Sequence, residues 1–296
     1  MFFLPQFEIA DLVLDVESDK WEPMERMMEF RIEQHRPGDL DIRFRYEEFI
    51  AVPDGDVISE ENQYFKWLRK PSGDKGYYIY SREAASGSIL VLADIDPEWR
   101  KVIITCRDFT NKSPDESFSQ QTWVFAHVMM GVIYRYNILY RNGIVIHSSA
   151  LKLKDRAIIF SAPSGTGKST HAQLWQRHVD NVKILNDDTP AVQIIGGKPF
   201  VFGTPWSGSS LIHCNDSAPL EAIVILEQAE ENRIRKITGQ EAILGVMPRV
   251  FLPYFDQTMM IKAMGIFERI ISTVPVYLLQ CRPDKEAVEM VYQCLK

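Results

Sequence analysis

Apolar positions follow two different rhythms along this chain. Up to about residue 110 they come in short runs of strand length: Phe7 to Val16, Leu40 to Phe49, Gly76 to Tyr80, Ser88 to Ala93 and Lys101 to Cys106. Pro, Gly and Asp bound these runs, so the segment is predicted to be rich in strands. From residue 113 the rhythm changes. Ser113 as N-cap, Pro114 at the first helical position and Glu116 at the third form a capping box. The helix they open is predicted to run to about Tyr140 and to stop at Asn142-Gly143. It is apolar on most faces (Trp123, Phe125, Val128, Met129, Val132, Ile133, Tyr136), which predicts burial.

After Gly143 strands and helices alternate. Ile144 to Leu151 and Ala157 to Phe160 are predicted strands, a helix ends near His178, and Val182 to Leu185 is a further strand. Ala191 to Ile195 and Pro199 to Gly203 flank Gly196-Gly197 as a hairpin. Ala222 to Gln228 and Pro275 to Gln280 are strands, residues 239–273 are helical with breaks at Pro248 and Pro253, and Asp284 to Leu295 is a closing helix. This alternation predicts an α/β core preceded by a strand-rich domain, with the boundary at 112/113.

One stretch carries chemistry. The apolar run Arg156 to Phe160 enters Ser161-Ala162-Pro163-Ser164-Gly165-Thr166-Gly167, and Lys168-Ser169-Thr170 then opens a helix. Strand, small-residue loop, Lys and hydroxyl in that order form a cradle for a nucleoside triphosphate. Backbone N–H groups of Ser164 to Gly167 would wrap the phosphates. Lys168 would reach the β and γ oxygens, Ser169 would take a Mg²⁺ ion, and Thr170 would belong to the same nucleotide-binding set. The start of the helix aims its positive dipole end at the anion. Ala162 stands where the full pattern has glycine.

Phosphoryl transfer also needs a carboxylate for the metal and a group to take the acceptor's proton. Asp187 and Asp188 follow the apolar strand 182–185, where such an acid belongs. One would hold Mg²⁺ and the other would act as base. The assignment favoured is Asp187 as base and Asp188 with Ser169 on the metal, and the exchanged roles stay open. His147, in Ile146-His147-Ser148-Ser149, falls on the predicted strand before the loop.

The series His147, Ser164-Gly165-Thr166-Gly167-Lys168-Ser169, Asp187-Asp188 resembles the nucleotide core of the HPr kinase/phosphorylase and ATP-dependent phosphoenolpyruvate carboxykinase superfamily. Phe202-Gly203-Thr204-Pro205-Trp206-Ser207-Gly208 resembles a segment of diverged HPr-kinase-like proteins, including lasso-peptide kinases. The resemblance spans roughly residues 143–296. It implies that Lys168 and Ser169 handle the γ-phosphate and metal, that the aspartates hold metal or act as base, and that His147 lies beside the moving phosphate. Residues 1–110 do not resemble the N-terminal domain of HPr kinase, and the arginines of a carboxykinase dicarboxylate site are absent from the pattern.

Composition narrows the partners. The 296 residues are 46% hydrophobic and 25% charged with a net charge of -7, which argues against general nucleic-acid binding. No stretch is apolar for the roughly 18 residues of a membrane helix, and the N-terminus lacks a basic secretory n-region. Cys106, Cys214, Cys281 and Cys294 are scattered, as suits thiols in a reducing cytoplasm rather than a zinc site. The expected protein is a cytoplasmic ATP- and Mg²⁺-dependent kinase of a serine-like hydroxyl on a peptide or small protein. A small-molecule hydroxyl kinase and a nucleotide-dependent sensor or scaffold remain as alternatives, and a homo-oligomer is left open.

Overall fold

The computed structural model describes residues 5–20, 22–61, 65–71, 75–84, 86–108, 116–208 and 210–295. The Ser113-Pro114 part of the expected capping box lies outside them. The chain divides into two compact units, Met1–Asn137 and Ile138–Lys296. The long helix expected to open the second domain therefore belongs to the first unit, and the division falls at 137/138 rather than 112/113. The reason is packing: its buried face covers the N-terminal sheet.

Among the described residues of the first unit that sheet holds nine strands: β1 (Gln6–Ile9), β2 (Leu12–Glu17), β3 (Arg31–Ile32), β4 (Leu40–Glu47), β5 (Asp56–Glu61), β6 (Phe65–Arg69), β7 (Tyr77–Arg82), β8 (Ile89–Ile95) and β9 (Lys101–Arg107). The order is β3-β1-β2-β4-β9-β8-β7-β6-β5. A single turn of helix, α1 (Glu25–Met28), precedes β3. The run 7–16 is a hairpin, not one strand. Ala10 and Asp11 both take positive φ (50° and 57°), the geometry of a tight two-residue turn usually signalled by Asn-Gly. The helix α2 (Glu116–Asn137) packs on β8 and β9. Near its end Tyr136 meets the fully buried Trp67 and Trp99 edge-on, and Asn137 Nδ2 donates to Trp99 O.

The second unit opens with a 3₁₀ turn (Ile138–Arg141) and builds a second sheet: β10 (Gly143–Val145), β11 (Ser148–Leu153), β12 (Arg156–Ser161), β13 (Val182–Asn186), β14 (Ala191–Ile195), β15 (Lys198–Phe202), β16 (Ser217–Gln228), β17 (Arg233–Ile237) and β18 (Val276–Cys281). The order is β10-β14-β15-β16-β12-β11-β13, with β18 also on β16 and β17 on β18. The neighbours β12, β16 and β18 are parallel, so their carboxyl ends share one edge. Ligands of α/β sheets lie at that kind of edge. The expected hairpin is present, with Gly196 and Gly197 at φ 57° and 83°.

Helices α3 (Lys168–His178) and α6 (Lys285–Cys294) pack on this sheet and on each other. Leu151, Phe160, Trp175, Val224, Leu279 and Val288 form their shared core. Asp284 caps α6 by accepting from Ala287 N, and Asp256 caps α5 (Gln257–Thr273) by accepting from Met259 N. Helix α4 (Gly239–Val246) runs into a 3₁₀ turn at Met247–Arg249. Among the described residues no helix is long and apolar enough to cross a membrane.

One core group titrates in a useful range. His171 of α3 is buried between Phe160, whose ring it meets edge-on, and Trp175, whose Nε1 donates to His171 Nε2 at 3.3 Å. Burial pushes its pKa down to about 4, and Asp284 opposes this only in part. A base depressed in the folded state destabilises that state once the unfolded chain begins to take the proton. Stability should therefore be intact above about pH 6.5 and fall as pH approaches 4. Between neutrality and about pH 4.5 the wild type should lose about 2 to 3 kcal/mol more than a His171→Gln variant. Parallel thermal unfolding at the two pH values checks this. Equal losses would mean that His171 ionises freely in the fold.

Candidate active site

The loop after β12 is built by backbone conformation. Gly165 and Gly167 take φ of 80° and 108°, values that L side chains rarely adopt. A Cβ built on either meets nothing within 4 Å, so both glycines are needed for φ rather than by crowding, and the loop faces open space. Ala162 is not among the described residues with positive φ, so the departure from glycine costs nothing there. Its side chain is buried and its carbonyl accepts from Lys168 Nζ at 3.1 Å. Gln228, at the end of β16, donates from Nε2 to Thr166 O and ties the loop to the neighbouring parallel strand.

Gly167 is the N-cap of α3, and no side chain caps the first turn there. The N–H groups of a first helical turn have no partner within the helix, and a glycine N-cap offers them none. Ser164, Gly165 and Thr170 are exposed, Thr166, Gly167 and Ser169 are partly buried, and Lys168 is only 7% exposed.

Beside this loop lies the Asp-Asp turn at the end of β13. Asp187 is buried and its Oδ1 accepts from Ser149 Oγ at 2.7 Å, a bond across to β11. Asp188 Oδ1 lies 3.6 Å from His147 Nε2. His147 is not inside a strand. The expected strand 144–151 breaks at residues 146–147 into β10 and β11, which pair with different partners. Ile146 is bridged to Val250 and His147 N donates to Arg249 O at 2.7 Å, so the chain is diverted where the histidine stands. The Phe251 ring lies nearly parallel to the imidazole, 6.5 Å away.

The charges of these groups act on one another. Burial lowers the His147 pKa, Lys168 and Arg249 lower it further, and Asp188 opposes them. Burial likewise lowers that of Lys168, with Asp188 and Asp187 pulling it up and Arg249 pushing it down. Asp188 is raised by burial and by Asp187, against His147 and Lys168. At neutral pH His147 is therefore a neutral hydrogen-bonding group, not a cation. Arg249 is the residue that sequence reasoning missed. It sits in a short 3₁₀ turn after Pro248, and only the bridge to residues 146–147 brings it to the site.

The donor set suits a hard cation. The Asp187 and Asp188 carboxylates and the Ser169 hydroxyl would offer oxygen ligands. Mg²⁺ takes one or two such carboxylates and completes its shell with phosphate oxygens and water. Among the described residues no three His, Cys, Asp or Glu side chains gather into a cage of their own.

No protein-family model matches the chain. No curated protein sequence matches it either. Among solved structures, the Hpr(Ser) kinase/phosphatase from Coxiella burnetii aligns with 51% of this chain and 94% of its own, at 12% identity and a TM-score of 0.31. A likeness that slight decides neither fold nor activity.

Proposed function

We propose that this chain is an ATP- and Mg²⁺-dependent phosphotransferase that phosphorylates a hydroxyl, most simply a serine of a peptide or small protein. The observation that carries the reading is the meeting of Lys168, at a glycine-capped helix start behind a glycine loop, with Asp187, Asp188 and His147. The sequence resemblance to the nucleotide core of HPr kinase supports the same roles.

In this reading the loop N–H groups hold the triphosphate, and Lys168 sits on the β and γ oxygens. Bound Mg²⁺ would supply charge neutralisation of the phosphates, held by Ser169 and Asp188. The acceptor oxygen bonds to the γ phosphorus as the bond to the β–γ bridging oxygen breaks. The acceptor's proton passes to the Asp187 carboxylate, and ADP leaves. Lys168 and Arg249 offset charge on the moving group. His147 donates a hydrogen bond, and phosphate anions beside it would raise its pKa.

An open site favours a chain-like acceptor. The His147 and Asp188 side chains are 33% and 35% exposed. Leu211 and Tyr254 present exposed apolar side chains on the segments that bring Gly208 to Asp188 and Phe251 to His147. Residues 1–112 would recognise the acceptor. The test is transfer of labelled γ-phosphate from ATP to a peptide and metabolite library, read by mass spectrometry. Phosphoserine in a peptide is the expected product. Labelled small molecules alone would turn the reading to a metabolite kinase, and nucleotide binding without any transfer would turn it to a sensor.

A further inference from the structure

We propose that Asn186 is a positioning residue of this site, clamping the Asp187-Asp188 turn to the 204–208 segment so that the Asp188 carboxylate stays aimed at His147. The inference rests on the function proposed above. Asn186 ends β13 and is fully buried, next to the apolar Ile184 and Leu185. An apolar side chain would fill such a place at no cost in desolvation, whereas a buried amide is tolerated only when its groups are paired.

Here both ends of the side-chain amide are paired, one with the Asp-Asp turn and one with the 204–206 segment. Oδ1 accepts from Asp188 N at 2.8 Å and from Thr189 N at 2.7 Å. Nδ2 faces Thr204 O (3.0 Å), Thr204 Oγ1 (3.1 Å) and Trp206 O (2.9 Å). Thr204 Oγ1 bonds Thr189 O at 2.9 Å and Thr189 Oγ1 donates to Trp206 O, which closes the ring between the two segments. On the far side, Asp188 O accepts from Ser148 N at 3.0 Å. Both backbone groups of Asp188 are therefore pinned, one by Asn186 and one beside His147. Gly208 completes the contact, since a Cβ there would lie 3.3 Å from Asp188 Cβ. Asn186 touches none of the reacting groups itself. It acts through the aspartate whose backbone it holds.

The test is a double-mutant cycle on single-turnover transfer, with ATP Kd measured alongside. Asn186→Ala should slow transfer about 10- to 100-fold and weaken Mg²⁺-dependent ATP binding in the same direction as Asp188→Asn but by less, the usual effect of losing an orienting partner of a metal ligand. In an Asp188→Asn background the same change should cost less than about threefold, because the carboxylate it aims is already gone. A merely structural residue would multiply its loss equally in both backgrounds, and that result overturns the proposal. If Asn186→Ala does not fold, Thr204→Val removes one hydroxyl of the clamp and should show a smaller loss with the same non-additivity. Amide hydrogen exchange at Asp188 and Thr189 separates this proposal from the function it rests on. It should speed up in Asn186→Ala whatever the activity. No transfer by the wild type would sink the kinase reading with that signature intact, and unchanged exchange would sink the clamp.

Discussion

Lys168→Ala should abolish phosphoryl transfer while leaving the fold as stable as the wild type or slightly more so. The two halves of this expectation have one cause. Lys168 is 7% exposed, its ammonium is bonded within the protein to Ala162 O, and its pKa is lowered chiefly by burial. Keeping a cation there costs the folded state, so truncation relieves a desolvation penalty. The same burial makes the charge valuable to a phosphate anion, because water screens it poorly. Loss of such a clamp in the transition state is worth several kcal/mol, on the order of a thousandfold in rate. Lys168→Arg should not restore activity, since a planar fork cannot replace a compact charge inside the loop. Thermal unfolding and single-turnover transfer on the same preparations decide the matter. Near-normal transfer by Lys168→Ala would remove the premise of the functional reading.

The sequence made the nucleotide loop readable because its signals are local. The apolar run 157–160 is fully buried as β12, the glycines sit at positive φ, and Lys168 opens α3 where the pattern puts it. Gly196-Gly197 and Asp284 were equally local, and the hairpin and α6 follow them. What stayed hidden depends on pairing between distant segments. Ala10-Asp11 turns a hairpin without a glycine, and β5 and β6 lie among charged and polar residues that obscure their alternation. The break at His147 exists because β10 and β11 pair with different partners and residues 249–250 bind the gap. Arg249 and Asn186 have no motif of their own: Arg249 reaches the site through those tertiary bonds, and Asn186, although it adjoins Asp187, shows its role only in its bonds to Thr204 and Trp206. A Pro248 break in a helical stretch was the one local sign that the chain there leaves its helix for another purpose.

The two aspartates should separate base from metal ligand. Asp187→Asn is nearly isosteric, and its amide oxygen can still accept from Ser149 Oγ, so the turn should keep its shape. An amide cannot take the acceptor's proton. Transfer should then fall by roughly two to four orders of magnitude, the worth of a positioned base. ATP affinity should hold or improve, because Lys168 remains and one negative charge beside the triphosphate is gone. Asp188→Asn should instead weaken Mg²⁺-dependent nucleotide binding and rate together, since it removes an oxygen ligand from a hard cation. It also takes from His147 the one charge that opposes the lowering of its pKa, so the imidazole should ionise at still lower pH in this variant. Nucleotide Kd across a Mg²⁺ titration, with single-turnover rates for both variants, gives the answer. Rate lost at constant Kd marks the base, and loss of both marks the metal ligand. Adjacent carboxylates titrate as a pair, so the opposite result would exchange their roles and leave the mechanism standing. Full rates in both variants would reduce the Asp-Asp pair to a structural turn and leave the acceptor's proton with nowhere to go.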